Sequence, residues 1–185
     1  MRAKFVNESL SSILSPKSED EIFDYVRDVV RRGGNIYLKS LRSLPPGVEF
    51  NNKGDVFLNS LISLPEDTKF NNIGLVYLLS LSSLPAGIVF NNKGYVNLTS
   101  LTSLSSDVKF NNKGGVNLGS LISLPKGFVF NNQGNVFLDS LTDLPGDVIF
   151  NNQGDVDLSS LTSLPEGVVF TEGCTVILKD KIIIK

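Results

Sequence analysis

The sequence predicts a mainly β protein: a single right-handed β-solenoid of seven 20-residue coils with an N-terminal α-helical cap. Three observations support this: a repeat that keeps its phase without insertions, apolar residues spaced by two within each repeat, and Asn and Gly at one fixed point. The handedness follows from the preference of crossovers between parallel strands. We expect residues 1–33 to form the helical cap, residues 34–173 the seven repeats, and residues 174–185 a C-terminal capping strand.

Each repeat follows the consensus G-x-V-x-L-x-S-L-x-S-L-P-x-G-V-x-F-N-N-x. The V-x-L and V-x-F segments have the period of two that places both apolar side chains on one face of a short strand. Proline, which cannot donate to a sheet, predicts one corner, and Asn-Asn-x-Gly predicts another because these residues tolerate tight turns. The glycines in phase are Gly34, Gly54, Gly74, Gly94, Gly114, Gly134 and Gly154.

A single coil is not expected to fold alone. Its roughly six apolar side chains contribute on the order of 10–15 kcal/mol when buried, whereas ordering its backbone costs roughly 20 kcal/mol or more. Stability must therefore come from stacking on neighbouring coils. We expect three polar columns to support that stacking, as Asn ladders do in cross-β structures. These columns are Asn51 to Asn151, Asn52 to Asn152 and Ser40 to Ser160, each in steps of 20.

Both ends of the repeat array show features of caps. Ser18 followed by Glu21 is a capping box, and Gly33 suits the position after a helix, so we predict a helix over residues 19–32 that covers the first coil. A second, shorter helix is predicted near residues 7–14. At the other end, Cys174 replaces the phase glycine and is interpreted as a small core residue of the cap.

Composition argues against several functional classes. The net charge of −2 lacks the basic excess of nucleic-acid-binding proteins. One cysteine and no histidine exclude an intrachain disulfide, a His/Cys zinc site and His-based catalysis. No stretch of 18 apolar residues or signal-peptide pattern is present, so neither membrane insertion nor secretion is predicted. We expect a cytoplasmic protein without a cofactor.

An enzyme is not predicted either. Parallel β-helix enzymes that cleave polysaccharides build their clefts from long loops, and no loop here exceeds the 20-residue period. The glycines are interpreted as turn residues and not as a phosphate cradle, because no helix follows them. We therefore name no catalytic residue.

The segment V-D-L-S-S-L-T-S-L-P-E-G-V at residues 156–168 resembles bacterial and phage leucine-rich repeats with an L-T-S-L-P-E-G-L phrase. It is also similar to a shortened BspA-type leucine-rich repeat, and the resemblance covers residues 34–178. The V-x-F-N-N-x-G corner and the short period depart from standard leucine-rich repeats and favour a straighter β-solenoid. The resemblance implies protein–protein recognition without chemistry. If the protein is phage-encoded, it implies the host cytoplasm or a virion as its location.

Candidate binding residues lie where the repeat varies, at the outward positions of the V-x-L strands. Stacking in register should gather them into an exposed patch, bordered by Ile73, and such patches usually mark interfaces with aromatic anchors. Two alternatives stay open: the N-terminal segment folds over this face, or the aromatic residues only stiffen the sheet. The candidate partner-binding residues are Tyr37, Phe57, Leu75, Tyr77, Leu79 and Tyr95.

An acidic group lies further along the same face. Asp139, Asp155 and Asp157, with Asn135 nearby, could offer oxygen ligands to Ca²⁺. No recognised Ca²⁺ loop is present, so a solvated acidic face is the preferred interpretation and no metal is predicted.

The functional hypothesis from sequence is a non-catalytic module that binds another protein through the variable face of its repeat sheet. The alternative is a structural or self-assembling subunit of a virion, fibre or filament, associating through the solenoid ends.

Overall fold

The computed structural model describes residues 18–185, which form a parallel β-solenoid of about seven coils of 20 residues with one N-terminal helix. The predicted fold class is confirmed. The shorter helix predicted near residues 7–14 lies outside the described residues. We number the coils from 1, at residues 34–53, to 7, at residues 154–173.

The helix α1 spans Glu19–Arg32, the bounds predicted from its capping residues. The side chain of Ser18 accepts a hydrogen bond from the Glu21 amide at 3.2 Å. At the other end Gly33 takes a left-handed conformation, with φ +76°, and its amide bonds to the carbonyls of Val29 and Val30. Left-handed glycine is a common helix terminator because it lacks a Cβ.

Short strands build three sheets along the solenoid. The first sheet has nine strands: β1 (Ile36–Tyr37), β3 (Val56–Phe57), β5 (Val76–Tyr77), β8 (Val96–Asn97), β11 (Val116–Asn117), β13 (Val136–Phe137), β15 (Val156–Leu158), β17 (Thr175–Leu178) and β18 (Lys181–Ile184). The second has seven: β2 (Glu49–Phe50), β4 (Lys69–Phe70), β7 (Val89–Phe90), β10 (Lys109–Phe110), β12 (Val129–Phe130), β14 (Ile149–Phe150) and β16 (Val169–Phe170). The third pairs β6 (Ser83–Leu84) with β9 (Ser103–Leu104).

The strands pair in parallel with a constant offset of one repeat, so that Ile36 lies beside Val56 and Phe50 beside Phe70. This register places chemically equivalent side chains directly above one another, and every apolar column of the sequence becomes a continuous row in the core. In coil 3 the buried apolar residues are Val76, Leu78, Leu81, Leu84, Ile88 and Phe90.

Two Asn columns form the corner between the second and first sheets. In the outer column the Asn71 amide nitrogen donates to the side-chain oxygen of Asn51 at 3.0 Å, and Asn91 repeats this bond to Asn71 at 3.1 Å. In the inner column the buried Asn92 donates to the carbonyl of Gly74, the first residue of its own coil, and to the carbonyl of Gly94, the first residue of the next coil. The predicted Asn ladder is therefore present, and its inner column joins each coil to the preceding one.

We expect Asn92→Ala to lower the free energy of unfolding by about 2 kcal/mol, because it removes the two hydrogen bonds by which a buried amide links the carbonyls of Gly74 and Gly94. The matched control is Asn91→Ala in the exposed outer column of the same coil, which we expect to change stability by about 0.5 kcal/mol or less. Urea denaturation followed by circular dichroism measures both. Equal losses of stability in the two variants would contradict the conclusion that the inner Asn column contributes more to joining the coils than the outer column does.

The corner after the proline column shows a period of 40 residues. Its turn position is alternately Gly and Asp, and Asp67 takes a positive φ of 58°, as the glycines of the odd-numbered coils do. The Asp107 carboxylate accepts a hydrogen bond from the Gly87 amide of the coil before at 3.1 Å. The adjoining third side of the solenoid also groups the coils in pairs. Coil 3 bonds to coil 4 through β6 and β9, and coil 5 bonds to coil 6 through an isolated bridge.

The C-terminal segment, predicted as one capping strand, is a hairpin of two strands. β17 continues the parallel first sheet as an eighth equivalent strand, and β18 returns antiparallel to it. Cys174 is buried, as predicted, and burial raises the pKa of its thiol.

Candidate functional site

The variable face of the first sheet begins with three stacked aromatic rings, which we call the aromatic stack: Tyr37, Phe57 and Tyr77. The centroids of successive rings are 5.0 Å apart, with interplanar angles of 3° and 6°. The parallel register produces this stack because it places one ring directly above the next. All three side chains are partly exposed, so their outer edges form a continuous apolar surface.

A cation lies against one side of the aromatic stack. The Lys39 ammonium is 4.9 Å from the centroid of the Phe57 ring and 5.4 Å from that of Tyr37. Such contacts stabilise exposed pairs by about 0.5–1 kcal/mol. The first two rings therefore have a positive charge at their edge.

Two leucines widen the apolar surface at Tyr77. Leu75 and Leu79 flank that ring on the same outward face, and both are partly exposed. The backbone amide of Leu75 donates to the Asp55 carboxylate at 2.8 Å. The surface therefore has an apolar centre, and the Asp55 carboxylate at its border is hydrogen-bonded to the backbone.

Polar contacts hold the beginning of this face in place. The Asn35 side chain accepts from the Asp55 amide at 2.8 Å and donates to the Tyr37 hydroxyl at 2.9 Å. The Tyr37 amide in turn donates to the Tyr25 hydroxyl of α1 at 2.9 Å. Burial raises the pKa of Tyr25. Helix α1 thus contacts the edge strand of the face and fixes its first aromatic residue.

Tyr95 does not extend the aromatic stack. Its ring lies over Gly115 of the next coil, where an added Cβ would be 3.2 Å from two ring carbons. The ring reaches Phe137, two coils away, with centroids 6.4 Å apart and planes at 64°. Burial raises the pKa of the Tyr95 hydroxyl. The structure thus stacks three of the six candidate residues and places Leu75 and Leu79 on either side of Tyr77. Tyr95 lies in the next coil, and its ring contacts residues of coils 5 and 6.

Phe137 was missed as a neighbour of the candidate residues. The signal in the sequence is the pair of outward glycines in coil 5, Gly115 and Gly119, where other coils carry larger side chains. Missing side chains leave a hollow that a large ring from an adjacent coil can enter.

The acidic residues of the same face take part in local hydrogen bonds. The Asn135 side chain accepts from the Asp155 amide at 3.0 Å, and the Asp157 carboxylate accepts from the Ser159 amide at 3.0 Å. Across residues 18–185, no three His, Cys, Asp or Glu side chains converge into a group that could hold a metal ion.

No family model, curated protein or solved structure matches this chain. The similarity to leucine-rich repeats therefore stays a resemblance of sequence phrases. Within the part of the chain that the structure describes, no helix has the length and apolar character needed to cross a membrane.

Proposed function

We propose that the protein is a non-catalytic interaction module that binds another protein through the outward face of its first sheet. The observation that carries this proposal is the partly exposed aromatic stack together with Leu75 and Leu79. Contiguous apolar surface with aromatic residues is characteristic of the centre of protein interfaces.

Rigidity supports the same proposal. Each ring of the aromatic stack is held by the ring next to it and by a backbone that is hydrogen-bonded to the adjacent coil. Side chains ordered before binding lose less conformational entropy in a complex, which favours affinity. The surrounding polar groups, such as Asp55 and Lys39, match the polar rim that encloses the centre of typical interfaces.

The test is affinity capture from a lysate of the source or its host, read by mass spectrometry and followed by a binding measurement with the purified partner. We expect Tyr77→Asp combined with Leu79→Lys to weaken binding at least tenfold, because the variant places charges at the centre of the apolar surface. Both positions face outward, so the variant should keep the circular dichroism spectrum of the parent protein.

The matched control is Ile62→Lys combined with Ile122→Lys. These residues are also apolar and exposed, but they lie after the first sheet, on the third side of the coil. We expect this variant to bind like the parent. Equal binding by the parent and the Tyr77/Leu79 variant would contradict the proposed site.

The second candidate function is a self-assembling structural subunit. A specific observation favours it: the last strand of the first sheet, β18, carries two apolar side chains on the outward face, Ile182 and Ile184, which are 68% and 77% exposed.

A further inference from the structure

The two ends of the solenoid differ in how well their last coil is covered. In coil 1, Val48 and Phe50 are buried, since α1 packs its apolar side, including Ile22 and Val26, into the same core cluster. In coil 7 the residue equivalent to Phe50 is Phe170, which is partly exposed. The C-terminal hairpin extends the first sheet, and the Lys185 ammonium lies 5.6 Å from the centroid of the Phe170 ring. Among the described residues no further strand or helix covers the second and third sides of coil 7.

The uncovered part of coil 7 includes several apolar side chains. Leu164 and Val168 are partly exposed, whereas their equivalents one coil earlier, Leu144 and Val148, are 5% and 0% exposed. Val169, on the same strand as Phe170, is 51% exposed. Leu164, Val168 and Phe170 belong to the core columns that the next coil covers in every earlier coil, whereas Val169 lies beside them in the outward column of the second sheet.

Two strand edges border this apolar end. β16 is the last strand of the second sheet, and β18 is the last strand of the first. The outer edges of both strands have no partner strand among residues 18–185, and such edges favour pairing with another chain. The end of the solenoid therefore offers both apolar contacts and backbone hydrogen-bonding groups.

Charges of both signs surround the end. None of them takes part in an ion pair of the described structure, whose three ion pairs all lie within α1. A surface that carries both signs can be complementary to a second copy of itself related by a two-fold axis. The charged residues are Glu166, Glu172 and Asp180 on the acidic side and Lys179, Lys181 and Lys185 on the basic side.

From these features we infer that the C-terminal end binds the C-terminal end of a second copy, forming a tail-to-tail dimer with two-fold symmetry. A two-fold axis along the normal of the second sheet brings the edge of β16 beside the same edge in the partner, with the two strands antiparallel. It also covers the partly exposed Phe170 and Leu164. A head-to-tail filament is disfavoured because α1 already covers coil 1, the surface that such a filament would need.

The dimer is tested by sedimentation equilibrium across a wide range of concentrations. We expect the parent protein to reach twice the chain mass, and Val169→Lys combined with Ile184→Lys to remain a monomer. Both substituted side chains are more than half exposed, so circular dichroism and the unfolding transition should report an intact fold. A parent protein that stays monomeric throughout, or a folded double variant that still dimerises, overturns the proposal.

The control for added charge is again Ile62→Lys combined with Ile122→Lys, which we expect to dimerise like the parent. Loss of the dimer in this variant would place the interface on the third side of the coil and overturn the proposal. Tyr77→Asp with Leu79→Lys should also remain dimeric. Failure of the dimer and failure of the proposed partner-binding face are thus separate results.

The orientation of the copies is tested by spin labels on single introduced cysteines. We expect labels at Glu172→Cys to lie close together across the dimer, and labels at Asp20→Cys, in α1 at the opposite end, to be separated by about the length of two solenoids. The native Cys174 is buried and should react little with the label. Short distances between the Asp20 labels would overturn the tail-to-tail arrangement.

Discussion

Replacing Phe90 by alanine is expected to lower the free energy of unfolding by about 3–5 kcal/mol, the range found for large aromatic residues in protein cores. Phe90 is fully buried, and its ring stacks on Phe70 at 4.9 Å and on Phe110 at 5.2 Å. The substitution leaves a cavity and removes two ring contacts at once. Because coils contact only their neighbours, the loss also weakens the coupling between the two halves of the solenoid.

Urea denaturation monitored by circular dichroism measures this loss, and a second transition would show that the halves unfold separately. The matched control is Phe170→Ala, at the end of the same column. Phe170 stacks on one ring only, Phe150, and is partly exposed, so a smaller loss of about 1–2 kcal/mol is expected. A larger loss at Phe170 than at Phe90 would contradict the account of the core.

Replacing Gly94 by alanine is expected to destabilise the protein by about 3 kcal/mol, near the upper end of typical overpacking effects. An added Cβ at this position would lie 2.4 Å from the Gly74 carbonyl oxygen and 2.7 Å from the Leu75 amide nitrogen. Both atoms belong to the backbone of the coil before, so no side chain can move to relieve the contact. The two coils must separate at the Asn corner.

Gly34→Ala provides a matched control in the same column. Gly34 belongs to coil 1, and its added Cβ would meet only a Val29 methyl group at 3.8 Å, an ordinary contact. We expect a change of about 0.5 kcal/mol or less. Thermal unfolding of the two variants separates coil-to-coil crowding from the general effect of replacing glycine. Similar melting temperatures for both would count against close approach of coils as the reason for the glycine column.

The architecture of the repeats could be predicted from sequence because every repeat carries the same pattern of apolar, turn and Asn residues. Apolar residues that recur every 20 positions can all be buried if they form a row along the core. The parallel pairing of Ile36 with Val56 produces such a row. Helix α1 could be predicted equally well, because Ser18, Glu21 and Gly33 are capping residues that act locally at the two helix ends. The hairpin of β17 and β18 was not predicted, because the number of strands depends on whether Lys181–Ile184 folds back and pairs with Thr175–Leu178.

The candidate site was predicted less completely. The aromatic stack follows from register alone, as Tyr37, Phe57 and Tyr77 occupy one column. The direction of Tyr95 does not, because it depends on the hollow over Gly115 and on Phe137 two coils away. The rotamer of a side chain at an outward position depends on its neighbours in adjacent coils. Those neighbours are known only from the folded structure.

The amino-acid sequence is sufficient to predict the coil length, the apolar columns, the Asn ladder and the bounds of α1. These features depend on periodicity and on local turn chemistry, both of which can be read from one chain. The covering of the two ends becomes evident only in the folded chain: coil 1 lies under α1, whereas Phe170 in coil 7 is partly exposed. Coverage depends on where non-repeating segments pack, and no column of repeated residues encodes that position.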